Sequence, residues 1–446
     1  MEPIDANAAA RFLAKHADSV SQNGFLPGHL PLRKLPDLRY SAWESIAANL
    51  PTLISTGRIR NAIAESAIES TQGLRGEDEW RRAYVLLTYM SHAYIWGGDQ
   101  PVEILPPQLS IPLLRVSSHL ALPPVLTCAA ANLWNFTSRN ACCFSSLSSL
   151  APLVSFTVSP TESWFLMVGV AVESLGGTII QTILAAVRAA IARDFSAVAA
   201  ALLQLAGHCE EITAILTRLP EQCDPATFYH EVRPFYAGTK NMTSAGLPRG
   251  VLYDTGNGKG EWKQLRGGSN GQSSLFPLID LALGTQHTAS TATDKCRRRG
   301  DPGSSEDDYH VDILSYMPRE HRCFLADFAQ IWNVHDVINA IEDPDTSEAL
   351  RAAHLQATTA VVRFRSKHMQ IVTRYIILPS KRSAPPAGAE QDRRRRNLAT
   401  WRTTSAEHTL IGTSGTQLMP FFKNARQQTM TAAIASYGEM VMGLPM

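Results

Sequence analysis

The chain has almost no excess of charge of either sign: 41 Lys and Arg stand against 40 Asp and Glu in 446 residues. A balance this even gives no electrostatic case for nucleic acid or an anionic membrane as partner. Cysteine is sparse. The seven cysteines (Cys128, Cys142, Cys143, Cys209, Cys223, Cys296 and Cys323) are odd in number, scattered, and form no CxxC. That argues against a disulfide framework and favours a reducing, cytoplasmic compartment. There is no H-E-x-x-H and no Cys/His cluster of zinc spacing, so a metal held by side chains alone finds no support. The opening stretch MEPIDANAAARFLAKHADSV has early acids and neither a basic n-region nor an apolar h-region, so no secretory signal is expected. The most hydrophobic run, residues 164–187, is interrupted by Glu173, Gln181 and the pair Gly176–Gly177. A membrane span prefers ~20 apolar residues without charge. One or two buried core helices are expected there instead.

What is present is helical. The chain is 45% hydrophobic and 18% charged, a globular composition with length for two domains or three. RYSAWESIAANLPTLI and WRRAYVLLTYMSHAYIWG read as helices, the second closed by a glycine cap at Trp96–Gly97–Gly98. PVEILPPQLSIPLL and LALPPVLT break the pattern with proline pairs. CCFSSLSSLAPLVSFTVSP reads as a Ser-rich connector. Residues 164–193 and 197–218 have helical spacing. Asp224 and Pro225 suit the N-cap and first position of a helix carrying TFYHEV, which should end near Arg233 because Pro234 disfavours α geometry before it. Residues 237–271 are Gly-rich and aperiodic. SSLFPLIDLALGTQ reads as a helix, 296–310 as a polar surface excursion, 311–378 as helical, and 381–410 as a long mobile loop. A final helix closes the tail. Strand alternation is sparse, so the fold class is mainly α.

Three motifs carry candidate chemistry. His368 lies in VVRFRSKHMQIVTRYIILP, with Val361, Phe364, Ile371, Val372 and Tyr375 at −7, −4, +3, +4 and +7. The imidazole therefore shares the apolar face of a helix. A heme iron needs such a ligand, and an ordinary buried histidine looks the same. Gly267–Gly268–Ser269–Asn270–Gly271 matches the G-x-S-x-G of a hydrolase elbow. The polar EWKQLR before it lacks the buried strand that motif requires, which leaves a glycine-rich loop as the alternative. GNGKG at 256–260 lacks the spacing of a phosphate loop. Phe228 and Arg233 bracket the end of one helix. Together they suit an aromatic amino acid, ring on Phe and carboxylate on Arg, or equally a core Phe and a surface Arg.

Taken together, FYHEVRPFYAGTKN, GVLYDTG, RGGSNGQSSLFPLIDLALGTQHTA, YMPREHRCFL, SKHMQIVTRYIILP and GTSGTQLMPFF, with weaker AYIWGG, ILPPQLSIPLL and LPPVLT, resemble the indoleamine 2,3-dioxygenase family from about residue 20 to 435. The resemblance implies a small N-terminal α domain (1–152) and a larger all-α heme domain (153–446). It implies heme b as cofactor, with His368 as proximal iron ligand. Phe165, Phe228 and Tyr229 would line the distal pocket and Arg233 would hold the substrate carboxylate. Ser269 would lie near a propionate, Asp280 and Arg365 would form the propionate-side ion pair, and Thr413 to Thr416 would belong to the lid. The implied reaction inserts O2 across the indole C2–C3 bond of L-tryptophan and gives N-formylkynurenine, feeding the kynurenine route and NAD synthesis. It requires an electron donor that keeps the heme ferrous. A monomer with no nucleic-acid or membrane partner is expected.

The chain departs from the family pattern at Cys128, where mammalian members place a pocket tyrosine, and at Gly169, where they carry a distal serine. Asn270 replaces a small residue in the heme-edge loop and could return polarity. Gly169→Ser is expected to be tolerated. These departures leave open a heme-binding paralogue that senses tryptophan or acts on another indole. A serine hydrolase built on Ser269 and a helical scaffold without chemistry are the remaining alternatives.

Overall fold

The computed structural model describes residues 5–16, 20–140, 144–285, 312–381, 413, 423 and 425–432. Helices dominate, as expected. The 296–310 excursion, the 381–410 loop apart from Lys381, Thr416 and most of the tail lie outside the described residues.

The apolar run divides into two helices, Pro160–Ser174 and Gly176–Ile191, largely buried within the fold. Its glycine pair marks a close approach. A Cβ on Gly177 would lie 2.0 Å from the Gln22 carbonyl oxygen, so the N-terminal segment crosses here only because side chains are absent. The next helix, Phe195–Thr217, packs along the longest, Pro344–Val372, of 29 residues. Both starts are written in sequence: Asp194 accepts from the Ala197 N–H, and Asp343 from the Thr346 N–H with Pro344 at the first helical position.

Several expectations change. The helix Gly76–Trp96 ends at Gly97, but that glycine has φ −82° and no left-handed cap. It is required because a Cβ would meet the Ala93 carbonyl oxygen at 2.4 Å. The proline-rich stretch is a helix, Pro107–Leu120, that starts on a proline and carries Pro112 inside. The Ser-rich connector contributes an antiparallel pair, Phe136–Ser138 with Leu150–Pro152. The aperiodic 237–271 segment holds a hairpin, Val251–Asp254 with Gly260–Lys263, joined in parallel by Ile104–Leu105. GNGKG is its turn: Gly256, Asn257 and Gly258 all have positive φ.

Two hydrophobic clusters fill the molecule. One joins the Gly76–Trp96 and Pro160–Ser174 helices to the segment from Leu219 to Tyr253. The other gathers Phe12 and Phe25 with the Gly176–Ile191, Phe195–Thr217 and Pro344–Val372 helices. Buried Glu162 fastens the first. Its carboxylate accepts from the Phe156 N–H (2.9 Å), the Thr157 N–H and hydroxyl (both 2.7 Å) and the Tyr236 hydroxyl (3.0 Å). Burial pushes its pKa up while these donors pull it back. Glu162→Ala strands two buried N–H groups. It should cost about 3 kcal/mol in urea unfolding at neutral pH. An unchanged midpoint would contradict this role.

Candidate active site

His368 sits in the last turn of Pro344–Val372, half-buried, with the Phe364 ring 6.2 Å away and nearly parallel (18°). Phe364 in turn stacks on Phe276 at 4.9 Å. Burial lowers the His368 pKa to about 4, aided by the nearby Arg365 charge. The imidazole is therefore neutral at physiological pH. Arg365, on the turn before, donates through one nitrogen to both Asp280 oxygens at 2.7 Å. It also bonds the Ala425 carbonyl and Thr429 hydroxyl, which ties the C-terminal segment to this wall.

His368, Phe364, Arg365 and Asp280 line a cavity that is partly open to solvent. Phe165, Gly169 and Glu173 line it too, at i, i+4 and i+8 of the Pro160–Ser174 helix, which puts them on one stripe. Cys128 and Asn132 join them from the π-turn Ala129–Leu133 and the residue before it. Burial pushes the Cys128 thiol well above its ordinary range, with the Glu173 charge adding to the effect. Glu173 is itself buried. Its Oε2 has no hydrogen-bond partner among the described residues, and burial pushes its pKa up to about 7 despite a Ser273 hydrogen bond.

The remaining candidates divide. Phe228 packs directly behind the cavity wall, its ring 4.7 Å from Phe165 and edge-on to Tyr375 at 5.9 Å. Tyr229 and Arg233 share its element. The Arg233 guanidinium lies 5.5 Å from the Tyr229 ring centre, and burial lowers its pKa. Neither lines the cavity itself. Their helix does not stop at Arg233 as expected. Asp224 caps it through the Thr227 N–H, a single turn follows, then a π-turn Phe228–Val232, then a 3₁₀ turn Arg233–Tyr236 that carries Pro234. The π-turn absorbs the register change, so the residue before proline keeps helical angles.

Ser269 lies beside the cavity, while its neighbours Asn270 and Gly271 line it. It caps the short turn Asn270–Gln272 through the Gly271 N–H. The preceding strand is mostly exposed and no long helix follows directly, so a hydrolase elbow is absent. Gln272 pins this loop by accepting from the Cys128 N–H (2.8 Å) and donating to the Gly267 carbonyl (2.9 Å). His92 does the same further in. Its Nδ1 lies 2.7 Å from the Phe235 carbonyl and its Nε2 accepts from the Leu126 N–H at 3.1 Å. These partners select the neutral tautomer with the proton on Nδ1. The Thr413 carbonyl accepts from the Gly238 and Gly267 N–H groups, which docks this residue across both glycine loops.

Sequence reasoning missed His92, Gln272 and Asn132. It noticed Glu173 only as an interruption of an apolar run. The usable signal was its position, two turns from Phe165 on the same face. Gly169 carries a constraint that the sequence did not show. A Cβ there would lie 2.3 Å from Asn132 Nδ2, so a serine must displace an amide held by the Leu166 carbonyl at 2.9 Å. Among the described residues no group of three His, Cys, Asp or Glu could hold a bare metal ion.

An apolar cavity with one neutral histidine, an Arg–Asp pair and a stacked Phe pair agrees with comparison to known proteins. The family profile of indoleamine 2,3-dioxygenase matches residues 15–432. This chain belongs to the indoleamine 2,3-dioxygenase family. It is thus an oxidoreductase of the dioxygenase class. Among its relatives is a 6-hydroxytryptophan 2,3-dioxygenase of Fusarium equiseti, 36% identical and aligned over 93% of this chain and 96% of its own length. The indoleamine 2,3-dioxygenase of Saccharomyces cerevisiae is 34% identical over 92% of this chain and 91% of its own. Indoleamine 2,3-dioxygenase 1 of Mus musculus is 30% identical over 92% and 93%.

Glu173 gives this dioxygenase a pH signature. A carboxyl whose folded pKa is about 7 against an ordinary 4.5 holds its proton longer in the native state. Stability contributed by this group should therefore fall as pH rises from about 4.5 to 7 and level off above. Glu173→Gln should stabilise the protein by a few kcal/mol above pH 7 and by nearly nothing at pH 4. Thermal midpoints measured across that range check this; a pH-independent difference between the two proteins would refute it.

Proposed function

We propose that this dioxygenase binds heme b and inserts both atoms of O2 across the indole C2–C3 bond of L-tryptophan. The product is N-formylkynurenine, the entry to the kynurenine route. The observation that carries the reading is His368, a neutral imidazole on the wall of a cavity otherwise lined mainly by apolar side chains. A porphyrin iron needs one such ligand from the protein. When bound, ferrous heme supplies the oxygen chemistry.

The protein's own contribution is placement. His368 holds the cofactor through one ring nitrogen. Arg365, paired with Asp280, offers a cation to a propionate edge, with Ser269 close to the same loop. Phe165, backed by Phe228, supplies an aromatic wall for the indole ring. Arg233, steadied over Tyr229, takes the substrate carboxylate. No acid–base dyad is required, because holding indole beside O2 is chiefly a matter of orientation. The enzyme works as a cytoplasmic monomer with an external electron donor that keeps the iron ferrous.

The test is turnover: reduced, heme-supplemented protein given L-tryptophan and O2 should release N-formylkynurenine in step with oxygen consumed. A tryptophan-dependent optical shift without product would instead select a sensing role. Arg233→Ala should weaken tryptophan binding by ~2–5 kcal/mol, seen as a steep rise in KM with heme content intact. An unchanged KM would remove Arg233 from the carboxylate site.

A further inference from the structure

The cavity wall around Phe165 is apolar except for one patch. Gly169 leaves a gap one turn from Phe165, and the Asn132 carboxamide fills it from the neighbouring π-turn. Asn132 is only 3% exposed. Its orientation is determined: the Leu166 carbonyl can only accept, so the nitrogen must face it, at 2.9 Å. The oxygen therefore points the other way. There its one donor among the described residues is the Cys128 thiol, 4.0 Å away and weak. A buried acceptor that is barely satisfied is costly, and a cavity that contains one is built to receive a donor.

Tryptophan brings one such donor on its ring, the indole N–H. Burying the ring against Phe165, which Phe228 backs at 4.7 Å, removes that N–H from water, so it too requires a partner. Among the other acceptors that line the cavity, Asp280 is committed to Arg365 and His368 to the proposed iron, while Glu173 and Asn270 fit less well. Asn270 is exposed and stays hydrated. Glu173 lies eight residues from Phe165, about 12 Å along the helix, whereas Gly169, against which the Asn132 amide packs, lies about 6 Å along it. An indole resting on Phe165 reaches the nearer position.

We infer that Asn132 Oδ1 accepts the indole N–H of the substrate, and that this carboxamide, reaching across from the neighbouring turn, replaces the hydroxyl that mammalian family members carry at position 169. Asn132 is then a specificity-determining residue: it selects for heteroaromatic rings with an N–H at this edge. Gly169 and Asn132 form a coupled pair, because a side chain at 169 and the amide at 132 compete for the same space. The inference rests on the tryptophan dioxygenase reading above.

The experiment compares L-tryptophan with 3-benzothienyl-L-alanine, an isostere with sulfur in place of the N–H. Dissociation constants are measured by calorimetry on the heme-loaded protein, with kcat/KM for tryptophan in parallel. Wild-type protein should prefer tryptophan by roughly tenfold, the worth of one buried hydrogen bond. Asn132→Val should remove most of that preference by weakening tryptophan and sparing the isostere. On an Asn132→Ala background, Gly169→Ser should restore the preference, because the shortened side chain now leaves room for the hydroxyl. Equal binding of both ligands to the wild type, or equal weakening of both by Asn132→Val, would overturn the assignment while tryptophan turnover persists. Loss of tryptophan turnover in wild-type protein would overturn the underlying reading and this inference together.

Discussion

The structure depends on keeping one imidazole uncharged inside an apolar wall. His368 is buried enough, and close enough to Arg365, that protonation is strongly disfavoured near neutral pH. A protonated ring has no lone pair to give. The surrounding architecture serves this condition. The 29-residue helix that carries His368 is capped at Asp343 and packed along Phe195–Thr217. The Arg365–Asp280 pair locks it to the Leu275–Ala282 helix one turn before the histidine. That pair is well satisfied, so the cationic neighbour depresses the imidazole without itself being left uncompensated.

The other wall is built on a different plan. Its helix is apolar and its polar groups are few, yet each is placed. Glu162 organises the entry to the helix and reaches Tyr236, on the element that carries Phe228 and Arg233. His92 and Gln272 join separate loops by using both of their polar ends. Among the described residues that line the cavity, Glu173 Oε2 has no hydrogen-bond partner and Asn132 Oδ1 has only the weak Cys128 thiol. Buried polar groups with unspent hydrogen bonds cost stability, and sites of function are where such costs collect.

The helices were legible in the sequence because apolar spacing and caps act locally. Asp224–Pro225, the split of the 164–187 run and the His368 face all followed from near neighbours. What escaped depends on distant chain. The Val251–Asp254 hairpin is short and glycine-flanked, so its alternation has no length to register. Pro112 sits inside a helix that propensity alone forbids. The continuation past Arg233 needs a π-turn, which no local rule demands. Family resemblance supplied His368, Arg365, Asp280 and Phe165 together, and these four do share one cavity. It could not supply Asn132. The glycine at 169 looked like a lost hydroxyl until the fold placed a carboxamide in the same space.

The most direct test of the central claim is the iron–histidine stretching band in the resonance Raman spectrum of the ferrous, heme-supplemented protein. The account predicts this band in the wild type, its loss in His368→Gly along with most of the bound heme, and recovery of both when imidazole is added to the variant. A His368→Gly protein that keeps the wild-type band and full heme content without added imidazole would contradict it.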